Sequence, residues 1–251
     1  MNYEEIVKAF IPNSAGNKDD KLNFGKRSSK HYSINLLELA SAFKTPIIDI
    51  INQQEVFQDF SEELKNLFNK YGSDKSNGHD YQYIYSHILK DKENIKNIVE
   101  IGMGTNNIDV VSNMGRSGKP GASLRAFRDY LPNANIFGGD VDKGILFEEE
   151  RIKSFFVDQL DFASVYNFFL NIPNDVDLII DDGLHNPEAN LNIISHSIAK
   201  IKIGGWILIE DIDDEAINVW KVISLLIPNN YNKYLLKSQK DNIFAIQKTG
   251  D

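Results

Sequence analysis

The chain has no cysteine. Disulfides, thiolate metal ligands and a cysteine nucleophile are excluded together. Positive charge is also in deficit: 27 Lys and Arg stand against 36 Asp and Glu, a formal net charge of −9. Nucleic-acid binders carry a basic surface, so a polyanionic partner is not expected. No apolar run approaches the roughly 18–20 residues of a membrane span. The segment MNYEEIVKAF has acids where a signal peptide needs a basic region. The expected compartment is therefore the cytoplasm, and the abundance of Asn, Lys and Ile fits an A+T-rich bacterial genome. What is present is ordinary: 251 residues, 42% hydrophobic and 25% charged, enough for one sizeable core with or without a small appendage.

Residues 1 to about 31 are polar and uneven and read as a loop or arm. Leu36, Leu39, Ala40 and Phe43 then share one helical face, ending near Thr45-Pro46. A second apolar stretch runs from Ile47 to Phe60, and Ser61-Glu62-Glu63 reads as the start of another helix. Residues 1–65 are thus expected to form a mainly helical extension, serving as a cap over a site or an oligomer contact. Residues 66–251 are expected to form the catalytic domain. From Asn97 the pattern alternates, with strands expected at 97–101, 135–138, 152–157, 176–180 and 206–209. Between them lie helical stripes such as Leu124, Phe127 and Leu131, or Leu191, Ile194, Ile198 and Ile201. These stripes are core. Residues 233–236 and 243–247 flank SQKDN as an antiparallel hairpin. The expected fold class is α/β: a doubly wound, Rossmann-like sheet carrying one antiparallel strand.

The chemistry sits where strands run out. VDLII passes directly into Asp181-Asp182-Gly183-Leu184-His185, and Asn186-Pro187 reads as N-cap and first residue of the next helix. In open α/β sheets ligands bind at the carboxyl ends of the strands. Acids there can hold a divalent cation, and a histidine can take a proton. Taken alone, the same turn reads equally as two capping acids and a surface histidine. The next strand ends in Glu210-Asp211, adding two carboxylates beside the first pair. Like charges crowded at a sheet mouth are costly unless a cation or proton neutralises them. An oxygen-rich set without cysteine favours Mg²⁺, Mn²⁺ or Ca²⁺ over zinc. Earlier, Glu100-Ile101-Gly102-Met103-Gly104 is a strand ending in a glycine turn, which admits a ligand close to the backbone. A dinucleotide fingerprint would place a third glycine where Asn107 stands. The following strands end at Asp140, where a carboxylate can accept ribose hydroxyls, and at Asp158-Gln159, where a polar pair can read a base edge. Asp142 is a fallback for Asp140.

Together these motifs resemble a family. E-I-G-x-G, G-A-S-L-R (121–125), I-F-G-G-D, V-D-Q, I-D-D-G-x-H and G-G-x-x-x-I-E-D are similar to the metal-dependent sugar O-methyltransferases of macrolide biosynthesis. Gly72-Ser73-Asp74-Lys75, with His79 and Tyr81, also resembles that family's entry motif. The resemblance covers roughly residues 70 to 212. It implies a class I methyltransferase using S-adenosylmethionine (SAM) and Mg²⁺ or Mn²⁺ to methylate a hydroxyl of a sugar, sugar nucleotide or glycoconjugate. It further implies cofactor contacts at Glu100, Gly102, Gly104, Ser123, Asp140, Asp158 and Gln159. The implied metal acids are Asp182, Glu210 and Asp211, with His185 as general base. Leu184 stands where the family usually has Ser, and the loop 105–120 is this chain's own; both bear on the acceptor. His79 is kept as a further site residue, while His31, His87 and His196 read as solvated or capping. The rival readings are a cephalosporin-hydroxylase-like enzyme with the same D-D-G-x-H pattern, an N-methyltransferase, and a non-catalytic SAM-fold binding protein.

Overall fold

The computed structural model describes residues 31–251, so the arm expected before residue 31 lies outside the described part. The chain divides into two compact units. One contains the described residues up to Ile48 together with Glu215–Ile227. Residues 31–42 are helical, as the stripe predicts, although of that stripe only Ala40 is buried while Leu39 and Phe43 are exposed. This unit also holds the helix Ile217–Leu226.

The other unit, Asp49–Asp214 with Pro228–Asp251, is built on a nine-stranded sheet. Its strands are β1 (Ile50–Asn52), β2 (Asn97–Ile101), β3 (Asn135–Asp140), β4 (Glu148–Glu149), β5 (Ile152–Phe156), β6 (Val176–Asp181), β7 (Ile201–Ile212), β8 (Tyr231–Lys237) and β9 (Asn242–Lys248). Their order is β1-β8-β9-β7-β6-β2-β3-β5-β4. The central run from β7 to β5 is parallel, whereas β9 pairs antiparallel with both β7 and β8. This is the expected doubly wound, Rossmann-like sheet with an antiparallel strand brought in by the C-terminal hairpin.

Three local expectations are corrected. The apolar stretch from Ile47 is not wholly helical: Ile50–Asn52 pairs parallel with β8 and covers its free edge. Ile201, assigned to a helical stripe, opens β7, because the preceding helix ends at Ser197. β7 itself runs twelve residues rather than four, with an irregularity between Ile209 and Ile212 where its pairing with β9 shifts. The short antiparallel β4 at the far edge was not anticipated.

The core explains the strand composition. β6 is buried along its whole length, and Ile98, Val99 and Ile101 of β2 are equally inaccessible, as expected for parallel strands covered on both faces. The helices Glu62–Tyr71, Gln82–Ile88 and Ala122–Tyr130 bring Phe68, Tyr85 and Phe127 together, with ring centroids 5.3–6.0 Å apart in edge-on arrangements. Ser61 caps the first of these, accepting from the Leu64 amide, and Gly72 ends it in the left-handed conformation. That stop turns the chain toward the sheet's carboxyl edge, where the segment 72–81 begins.

Strand order places the site. From β2 the chain proceeds outward through β3 and β5, then returns to add β6 and β7 on β2's other side. The reversal between β2 and β6 is a topological switch point, where crossovers diverge and leave a crevice at the carboxyl ends.

Candidate active site

The crevice is a cavity of about 900 Å³ lined by the ends of β2, β3, β5, β6 and β7 and by the segments 72–81 and 105–119. Its floor depends on Gly102, which has φ +89°. A Cβ there would fall 2.0 Å from the Asp182 carbonyl oxygen. The glycine lets β2 and β6 end side by side, with the Asp182 amide donating to Ile101 O at 2.8 Å.

On the β2–β3 side, Glu100 is fully buried and accepts from Ser123 Oγ at 2.6 Å; burial raises its pKa. Asp140 is buried at the end of β3, and burial raises its pKa despite backbone hydrogen bonds. Its two oxygens accept from the amides of Met103 (3.0 Å) and Asp142 (2.9 Å), which ties the glycine turn to β3. Asp142 faces Thr105 Oγ1 and the Gly144 amide instead. Gly104 and Asp158 both line the cavity, and Asp158 accepts from the Leu160 amide. Gln159 lines the cavity too, with its side chain engaged in the next turn. Its Nε2 donates to Asp181 (2.7 Å) and its Oε1 accepts from the Leu184 amide (2.8 Å), so its side chain braces the Asp181–His185 turn.

The neighbouring acids of that turn have different environments. Asp181 is buried, accepts from Gln159 and Asn190, and is pushed by burial to a pKa of about 6. Asp182 opens onto the cavity. Burial opposes its charge, yet the Lys75 ammonium and the His185 imidazole outweigh that and hold its carboxyl well below the usual range. Asn186 and Pro187 start the following helix as the sequence predicts, Asn186 accepting from the Glu188 amide. His185 lies just before that cap with φ 53°, and Asp211 shares this φ. Both are in the left-handed region that disfavours a residue with a Cβ.

Asp182, His185 and Asp211 converge: one ligand atom from each lies within 4.8 Å of the others. His185 Nε2 is 3.2 Å from Asp182 and 3.7 Å from Asp211. Burial lowers the histidine's pKa, but the hydrogen bond to Asp182 and the charges of both acids prevail and raise it. Burial and the Asp182 charge raise Asp211. Glu210, grouped with these acids by sequence, is turned inward onto Lys75 and Tyr85, and burial raises its pKa.

Sequence reasoning assigned no role to Lys75, Tyr81 or Tyr85. The Lys75 side chain is 3% exposed and meets Asp182 at 2.7 Å, Glu100 at 3.1 Å and Glu210. Tyr81 donates to Asp211 at 2.6 Å, and His79 lies 3.3 Å from the same carboxylate and 3.0 Å from Asp241. Lys75 and Tyr81 were signalled by the turn-rich run 72–81 and its likeness to the family's entry motif, neither of which shows that Asp182, Glu210 and Asp211, more than a hundred residues on, are their partners.

No protein-family model matches the chain. Over 150 residues it is 27% identical to a curated relative from Streptomyces olivaceus, 8-demethyl-8-alpha-L-rhamnosyl tetracenomycin-C 2'-O-methyltransferase. The match spans 59% of this chain and only 37% of that relative's length. Among solved structures, the MycE methyltransferase from the mycinamycin biosynthetic pathway, in complex with Mg and SAH, superposes with a TM-score of 0.61 at 20% identity. It covers 76% of this chain and 56% of MycE. A second MycE structure, with Mg, SAH and mycinamycin VI, gives the same TM-score at 19% identity and the same coverages. The sequence comparison and the shared Rossmann-like methyltransferase fold bear out the resemblance to sugar O-methyltransferases read from the motifs.

Proposed function

We propose that the chain is a SAM-dependent, divalent-metal-dependent methyltransferase acting on a hydroxyl of a sugar or glycoconjugate. The observation that carries this reading is the convergence of Asp182, His185 and Asp211 in a cavity whose other wall is the Gly102–Gly104 turn and Asp140. The residues fit both groups. A cavity of about 900 Å³ accommodates a nucleoside cofactor beside a second reactant. Asp140, at the mouth of the cavity, retains lone pairs for ribose hydroxyls. Two carboxylates with an imidazole nearby suit a hard divalent cation. The names of the similar proteins point the same way: one is a 2'-O-methyltransferase of a rhamnosyl compound, and the other was solved with Mg and SAH.

In this reading Asp182 and Asp211 hold the cation, with Glu210 the third acid of the set. Held by these acids, a divalent cation would supply Lewis-acid polarisation that makes an acceptor hydroxyl easier to deprotonate. His185 is the base. Its imidazole, held beside Asp182, would take up the acceptor's proton as the acceptor oxygen takes the methyl group and the sulfur leaves as S-adenosylhomocysteine. Tyr81 and His79 keep Asp211 oriented from behind, as outer-shell partners do for ligating carboxylates. Glu100, pinned by Ser123, and Asp140 fix the cofactor's side of the crevice, so that the two reactants are aligned in line.

The test is mass spectrometry of rhamnosides, other glycosides and nucleotide sugars after incubation with SAM and Mg²⁺. A gain of one methyl supports the reading. Calorimetric binding of NADH in preference to SAM and S-adenosylhomocysteine would overturn the cofactor assignment.

A further inference from the structure

Lys75 is the most enclosed ammonium of the site and the one the mechanism leaves without a task. Three carboxylates surround it: Asp182 at 2.7 Å, Glu100 at 3.1 Å, and Glu210 in close contact. The Tyr85 ring lies 6.0 Å away, and its hydroxyl also donates to Glu210. A lone buried ammonium is costly to desolvate, and it is tolerated only where anions meet it closely.

Two of these carboxylates, Asp182 and Glu210, belong to the acid set assigned to the cation. Lys75 takes Asp182 through Oδ2 and Glu210 through Oε2. The third, Glu100, belongs to neither metal nor base. Its Oε1 makes no hydrogen bond and has only the ammonium as a charged neighbour within contact. Lys75 therefore has an anion to stay with if the other two turn away. Its backbone belongs to a run of turns between two helices, so the arm is not fixed by a regular element.

We propose that Lys75 is an internal cation that holds Asp182 and Glu210 when no divalent ion is bound and competes with that ion for them. The inference rests on the cation reading given above and deepens it. Lys75 keeps the acid pair assembled in advance, limits how tightly the ion binds, and retains Glu100 as its partner when the ion enters. A merely organising lysine, which oriented the acids for the ion, would have the opposite sign: its removal would weaken ion binding.

The test is calorimetric titration of Mg²⁺ and Mn²⁺ into the full chain, comparing wild type with Lys75→Met and Lys75→Arg at one pH. Lys75→Met keeps the length and removes the charge. It should bind the ion at least ~10-fold more tightly, since a unit charge about 5 Å from a divalent ion is worth that much even in the screening of bulk water. Lys75→Arg restores the charge and should return the affinity toward wild type. Should Lys75→Met fail to fold by circular dichroism, Lys75→Gln, which keeps a donor for the acids, carries the same expectation. Tight binding to the neutral variant alone, with none to wild type, supports competition in its extreme form. Equal or weaker binding to the neutral variant overturns the proposal while the cation reading stands. No binding to any variant overturns the cation reading itself, and the competition with it.

Discussion

Gly102→Ala isolates how closely the two halves of the site are packed. The substitution adds two penalties. The first is conformational: φ is +89°, and placing a Cβ in that region costs about 1–2 kcal/mol. The second is steric, because the new Cβ lies 2.0 Å from Asp182 O and 2.7 Å from the Gly183 Cα, both backbone atoms. Overpacking of this kind typically costs about 1–3 kcal/mol, giving a total of roughly 2–5 kcal/mol. Gly115→Ala supplies the reference, since Gly115 has φ +67° and nothing within 4 Å of where its Cβ would stand. It should lose only the conformational part, about 1–2 kcal/mol. The assay is urea unfolding of both variants, checked by thermal melts, where about 2–4 °C corresponds to each kcal/mol in a chain of this size. Gly102→Ala should be the more destabilised by at least about 1 kcal/mol and, because Asp182 must shift, should also lose cation affinity. Equal stability losses in the two variants would refute the claim that Gly102 is required by the approach of β2 to β6.

Other outcomes follow from the same geometry. Asp140→Ala should weaken SAM and S-adenosylhomocysteine binding in calorimetry, because it also releases the Met103 and Asp142 amides that shape the glycine turn. His185→Ala should leave SAM affinity nearly unchanged while lowering methyl transfer by roughly 10²–10⁴-fold, and the wild-type rate should fall on the acid side of the histidine's pKa. In the ion-free protein that pKa is raised, so the stability His185 contributes is complete below its unfolded pKa and is lost as pH rises through the folded one. A near-wild-type rate for the alanine variant at saturating acceptor would remove His185 from the chemistry. Asp129 tests the acid side: burial opposes its charge, but Tyr71, Arg128 and Lys70 hold its pKa at about 2. Its contribution is present above the unfolded pKa near 4 and fades as pH falls toward 2, worth about 1–2 kcal/mol after allowing for partial exposure. Asp129→Asn should therefore differ from wild type in urea midpoint at neutral pH and approach it near pH 2; a constant difference would contradict the assignment.

The strands that carry the site were legible because each is a short apolar run ending abruptly in charge. β2 appears with its expected bounds, β6 extends only to Asp181, and the Asn186-Pro187 helix start falls where the residue types require. Local pattern says nothing about where a side chain turns at a strand's end. Glu210 and Asp211 are adjacent, yet one meets Lys75 and Tyr85 while the other meets Tyr81 and His79. Gln159 likewise reads as a free polar residue until its two hydrogen bonds to the following turn are seen. The burial of Lys75 was the least legible, because a buried lysine follows no periodicity and is stabilised only by acids of β2, β7 and the turn after β6. β1 was missed for a related reason: three residues in an apolar stretch become a strand only because β8 offers an unpaired edge.

The proposed activity is methyl transfer to a sugar hydroxyl with the help of a divalent ion. It is tested most directly by supplying SAM labelled with carbon-13 in its methyl group, together with Mg²⁺ and glycoside acceptors, and following the label by NMR. A new O-methyl carbon should appear on a sugar ring, absent when chelator is present and restored by added Mg²⁺ or Mn²⁺. Label appearing on nitrogen, or full transfer in excess chelator, would contradict it.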